Sequence, residues 1–177
     1  MSASARLIGF LSESAPDSEG RRLSEILGWP DERLEHVHDF IQWLFPLTEP
    51  SPVNPSAPVL DADTIAAIRA QPETLANLRA AYERMLRFYH GSRHWITPGN
   101  HNHLRITRIL KCLRLTGLEI EAREFFEWLS EIYQQERVKP NPGITARSFE
   151  FWKDAAGDFS ASLHRGRPHR QGRDPRP

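Results

Sequence analysis

From residue 31 onward, apolar positions recur at the spacing of one helical face. In DERLEHVHDFIQWLF (31–45), Leu34, Val37, His38, Ile41, Leu44 and Phe45 fall at i, i+3, i+4, i+7, i+10 and i+11, which predicts one continuous amphipathic helix closed by Pro46. PETLANLRAAYERMLRFYH repeats the pattern through Leu75, Leu78, Tyr82, Met85, Leu86 and Tyr89, with Pro72 at a first helical position and Gly91 as the stop. HNHLRITRILKCLR (101–114) continues it through Ile106, Ile109, Leu110 and Leu113, ending at Gly117. LEIEAREFFEWLSEIYQQE carries Ala122, Phe125, Phe126, Leu129, Ile132 and Tyr133 on one stripe. Shorter helices are predicted over about 19–28, capped by Asp17 or Ser18, over 62–70, capped by Asp61, and from Thr145 to Ala156. RLIGFL (6–11) reads as a short extended arm.

No alternating strand of useful length interrupts these helices, and no internal repeat is present. Residues 46–60 hold five prolines in fifteen positions, too many for a regular element. They predict an extended loop crossing the body, packed through Leu47, Val53, Val59 and Leu60. Residues 158–177 are rich in Arg, Pro and Gly and predict a disordered tail. The fold class is therefore all-α: a single compact helical domain of six or seven helices over 5–157, followed by that tail.

Composition adds little to this outline. The 177 residues suit one domain, large enough to bury roughly two-thirds of its unfolded surface. Basic and acidic residues balance at 23 each, so net charge argues for neither a nucleic-acid nor a membrane partner. The lone Cys112 excludes an internal disulfide and reads as a small buried thiol in a reducing compartment. The opening apolar run is too short for a signal peptide or a membrane span, and no other run reaches membrane length. A cytoplasmic protein is expected, with no integral membrane segment.

Local charge is less even. Residues 84–118 contain six arginines and one lysine and no acid. Within them Arg87, Arg93, Arg105, Arg108, Lys111 and Arg114 are candidates for an anion or nucleic-acid surface, since Arg grips phosphate by bidentate geometry. The same pattern also describes a core helix with a solvated cationic face, which neighbouring acids such as Glu121 and Glu124 could neutralise. The aromatic interleaving of single-strand binders is missing.

The histidines of HVHD (36–39) and HNH (101–103) lack zinc-ligand spacing, with no C-x-x-C and no H-E-x-x-H. No metal and no cofactor is expected. His38, on the apolar face of its helix, reads as a core histidine. No nucleophile elbow or phosphate loop occurs, so no catalytic residue is assigned and no enzyme is expected.

Two segments together resemble a known family. HDFIQWLFPL (38–47) resembles the H-x-aromatic-I-Q-W-L-F-P-L motif of the opioid growth factor receptor conserved domain. HNHLRITRILK (101–111) resembles that domain's H-N-x-L-R-I-T-R-I-L-K motif, and MLRFYH and SFEFWKDA extend the similarity over about residues 5–157. The core of the motifs is His38, Ile41, Leu44, Phe45, Leu104 and Ile109. The resemblance implies a receptor-like binding module rather than an enzyme. In vertebrates the family is described as a receptor for the pentapeptide Met-enkephalin, associated with the nuclear envelope. Here the expected partner is an unknown peptide or protein, with nucleic acid as the alternative. If the two motif helices face each other, Gln42, Trp43, Arg105 and Arg108 would line a pocket for a carboxylate or another small anion.

Overall fold

The computed structural model describes residues 3–157, and the tail expected to be disordered lies outside them. Nine helices follow one another along the described chain: α1 (Ala3–Leu11), α2 (Leu23–Leu27), α3 (Asp31–His36), α4 (Ile41–Leu44), α5 (Ala62–Ala70), α6 (Pro72–Gly91), α7 (Asn102–Thr116), α8 (Glu119–Glu136) and α9 (Ala146–Ala156). No strand occurs among the described residues, and the class is all-α as expected. The helix count exceeds six or seven for two reasons. RLIGFL is part of α1 instead of an extended arm, and the run 31–45 is two helices instead of one.

Local chemistry placed most helix ends. The Asp61 carboxylate accepts from the Thr64 amide at 2.7 Å and caps α5, and Thr145 accepts from the Ser148 amide at 3.1 Å and caps α9. Pro72 opens α6. Gly117 ends α7 at φ 88°, a left-handed conformation that costs a residue with a Cβ about 1 kcal/mol or more. Asp17 does not cap α2. Its buried carboxylate instead folds the preceding turn, accepting from the amides of Glu19 and Arg21, both at 2.9 Å. The first turn of α2 is capped from a distance by Glu13, which accepts from the Ser24 amide and hydroxyl.

Helix α7 is the hub: it packs against α5, α8 and α9, while α1 leans on α4, α5 and α6. Its Ile106, Ile109, Leu110 and Leu113 are fully buried beside Phe10, Phe40, Phe45, Trp95, Phe125 and Trp152. The proline-rich crossing loop packs at its two ends, where the Leu60 amide donates to the Leu47 carbonyl at 2.8 Å. Val53, expected to pack, is instead 81% exposed.

The break between α3 and α4 has a tertiary cause. Side chains from elsewhere bind the backbone where the helix would continue. Arg105 takes the carbonyls of Leu34 and Val37, Asn54 takes that of Asp39 at 3.2 Å, and Arg21 holds the Asp39 carboxylate at 2.8 Å. The turn swings His38 off the apolar stripe. It is exposed, not a core histidine, and its ring lies 4.9 Å from that of His101.

Candidate functional site

Helix α7 carries four of the six basic residues that the sequence singles out, Arg105, Arg108, Lys111 and Arg114. The donors of its three arginines end on backbone carbonyls of neighbouring elements. Arg105 is 5% exposed. Its Nη1 donates to the Leu34 carbonyl at 2.8 Å and its Nη2 to Val37 at 2.8 Å, closing the end of α3. Arg108 donates to the Phe45 carbonyl at 3.1 Å, just beyond α4. Arg114 donates to Ala155 at 2.8 Å and Asp154 at 3.3 Å, at the end of α9. The last carbonyls of a helix lack partners inside it and carry partial negative charge, so a guanidinium satisfies both needs. Burial pulls the Arg105 and Arg108 guanidiniums below their ordinary range. The face is thus neutralised mainly by carbonyl dipoles. Of the acids expected to do this, Glu121 instead pairs with Arg79 at 2.5 Å. Lys111 has a looser partner in Glu49 at 3.6 Å.

Gln42 and Trp43 are also interior, at 3% and 1% exposure. The Gln42 amide nitrogen, in the orientation that satisfies it, donates to the carbonyls of Asp39 and His38 at 3.2 and 3.3 Å. Trp43 packs edge-on against Phe10 at 5.4 Å. Gln42, Trp43, Arg105 and Arg108 therefore hold backbone and core together. Of the motif-core residues, Ile41, Leu44, Phe45 and Ile109 are buried, whereas Leu104 is 72% exposed. Arg87 and Arg93 are exposed, with no hydrogen bond or ion pair among the described residues.

The HNH run binds in three directions. His103, 4% exposed, has Nε2 3.0 Å from the Trp95 carbonyl and Nδ1 3.1 Å from Ser148 Oγ. A carbonyl only accepts, so the proton sits on Nε2 and Nδ1 accepts from the serine. Burial pulls the His103 pKa down, consistent with a neutral ring. Asn102, fully buried, donates to Glu35 Oε2 at 2.9 Å. His101 Nε2 lies 3.5 Å from Glu35 Oε1, and His94 Nε2 lies 3.0 Å from Glu35 Oε2. Burial opposes the Glu35 charge, but hydrogen bonds from Asn102 and His94 and the nearby imidazoles hold its pKa below the ordinary range. Burial and Arg105 lower that of His101, with Glu35 offsetting only part. Sequence reasoning missed this Glu35–His94–His101 cluster, because its members come from three segments with no shared spacing. Among the described residues no group of three or more His, Cys, Asp or Glu could hold a metal ion.

Two adjoining cavities open beside the 92–101 loop. One, of about 250 Å³, is lined by His90, Arg93, Trp95, Trp128, Glu131 and Gln135, among others. The other, of about 340 Å³, is lined by Arg93, Thr97, Glu136, Lys139, Asn141 and Gly143, among others. Arg93 belongs to both.

Residues 28–94 match the model of the opioid growth factor receptor conserved region. The chain thus carries that family's conserved region. It is 39% identical over 131 residues to the opioid growth factor receptor of Rattus norvegicus, an alignment covering 62% of this chain and 22% of the rat protein. It is 40% identical over 111 residues to the Homo sapiens receptor, covering 51% and 16%. Against the opioid growth factor receptor-like protein 1 of Xenopus tropicalis it is 32% identical over 156 residues, covering 76% and 30%. The chain thus spans a third or less of the length of these relatives. No solved structure gives a significant match. The matched conserved region runs from Gly28, at the end of α2, to His94 on Glu35. It holds α3 to α6 and one wall of the first cavity, while Arg105, which closes α3, lies outside it. No helix among the described residues is long and apolar enough to cross a membrane.

Proposed function

We propose that this opioid growth factor receptor-like domain is a non-enzymatic binding module for a peptide or small anion, with 5–157 as the binding unit. The observation that carries this reading is the fate of the basic segment. Of its six candidate residues, three arginines are spent on carbonyls, Lys111 faces Glu49, and among the described residues Arg87 and Arg93 alone make no hydrogen bond or close ion pair. Two cations make a poor track for a polyanion, but one suffices for a single carboxylate. The relatives are named as receptors, which favours ligand recognition over chemistry. Gln42, Trp43, Arg105 and Arg108 enter as the residues that hold the motif segments in register.

A thermal-shift screen with short peptides, nucleotides and oligonucleotides at low and high salt tests this. A ligand at 100 times its Kd stabilises the fold by about 2.7 kcal/mol. Peptide shifts that persist in salt are expected. Oligonucleotide shifts that collapse with salt, with a slope reduced by about one in Arg87→Ala and in Arg93→Ala, would establish the nucleic-acid reading instead.

A further inference from the structure

We infer that the double cleft around Arg93 is a peptide-binding site that takes a C-terminal carboxylate next to an aromatic side chain. This rests on the binding-module reading and adds the place and the chemistry. The second cavity, at about 340 Å³, reaches the lower end of the range of small-ligand sites, roughly 300–1,000 Å³, and the first adds about 250 Å³ beside it. Arg93 is the wall they share. Its guanidinium makes no hydrogen bond or close ion pair among the described residues; it faces the Glu136 carboxylate at longer range, helping to lower that carboxylate's pKa, and keeps its N–H donors available to a ligand. The other cation, Lys139, is already held by Glu136 at 2.5 Å.

The first cavity has an aromatic wall. The Trp128 indole stacks on the His90 ring at 4.3 Å and 15° and lies near-parallel to Phe125 at 6.0 Å and 13°. An incoming ring can join this cluster edge-on or offset-stacked, both favourable aromatic geometries. Glu131 and Gln135 stand beside it. A free carboxylate there disfavours a second ligand acid and sets the orientation, with the chain end on Arg93. The second cavity offers the Asn141 amide and the Thr97 hydroxyl oxygen, which can still accept while its proton is on the His94 carbonyl, polar groups suited to the preceding peptide units.

The cleft is pre-built, although its main wall is a loop. Trp95, fully buried, donates from Nε1 to the Tyr89 carbonyl at 3.0 Å and the Ser92 carbonyl at 3.1 Å. Its own carbonyl receives His103 Nε2. His94, the neighbour of Arg93, is fixed on Glu35. The opposite wall is fixed by Glu136, which accepts from the Gly143 amide at 3.2 Å. The walls meet so closely that a Cβ on Gly143 would stand 2.3 Å from the Ile96 carbonyl oxygen. A rigid cleft loses little entropy on binding.

The test uses the full chain and three probes: acetyl-Ala-Ala-Phe with a free carboxylate, the same peptide amidated, and phenylacetate. The Trp128 indole N–H resonance, assigned with Trp128→Phe, reports occupancy. The free-acid peptide is expected to shift it saturably. The amide and phenylacetate should each bind at least tenfold more weakly. Arg93→Ala, which removes no internal hydrogen bond or close ion pair, should weaken the acid at least tenfold, and Arg93→Lys less. Equal binding of acid and amide, an unaffected Arg93→Ala, or no shift up to about 10 mM, a Kd worth only about 2.7 kcal/mol, would overturn the site. Phenylacetate binding as well as the peptide would overturn the peptide assignment. If the site fails while peptides still stabilise the protein in the thermal screen, the binding-module reading survives with its ligand elsewhere.

Discussion

Arg105 donates from Nη2 to the carbonyl of Val37 at 2.8 Å, across 68 positions of sequence. With its second bond to Leu34, it makes the end of α3 a tertiary event and fixes the turn into α4. Arg105→Ala leaves both carbonyls without a donor in the interior. A loss of roughly 2–4 kcal/mol is expected in urea unfolding, while Arg93→Ala stays within about 0.5 kcal/mol of the parent. Equal effects would show that the Arg105 bonds contribute little net stability.

Gly143→Ala tests the meeting of the cleft walls. The new methyl would strike a backbone oxygen, which cannot rotate away. Destabilisation of about 1–3 kcal/mol is expected, with shifts at Ile96, Arg93 and Trp128 in amide and indole spectra. An unperturbed spectrum would mean that the 139–143 segment moves freely.

Acid should weaken the fold in two stages. Burial lowers the His103 and His101 pKa values from 6.5, so the unfolded chain binds more protons below that value. Their contribution is complete above about pH 6.5 and is lost as pH falls toward their folded values, at no more than about 1.4 kcal/mol per pH unit for each histidine. Glu35 and Glu136, lowered from 4.5, add a second loss below that pH. Urea midpoints at pH 7.5, 6.0 and 5.0 should fall in that order. A flat profile over that range would exclude the buried-neutral assignment of His103.

Cys112 should be inert in the native state. It is fully buried, and burial pushes its thiol up to about 12, with Arg108 only partly opposing. Aromatic disulfide reagents should modify it at a rate that tracks unfolding and rises with urea. Fast labelling in buffer would place it nearer the surface.

The helical class, α5 to α9 and most of their ends were fixed by short-range chemistry in the chain. A cap such as Asp61 or Thr145, a proline at a first turn and a glycine at a left-handed stop act within four residues, so their signals are local. The Leu34–Phe45 run was equally periodic and yet is not one helix. Apolar spacing carries no record of a guanidinium arriving from residue 105. Nor could charge counting tell that Arg105, Arg108 and Arg114 are spent on carbonyls, because a backbone oxygen has no letter in the sequence. The fold alone decided which cations stayed free, and it left Arg93 on the wall of a cleft. It also gathered Glu35, His94 and His101 from three segments. Pattern determines what each segment becomes, whereas long-range hydrogen bonds among buried polar groups determine where it stops and what it faces.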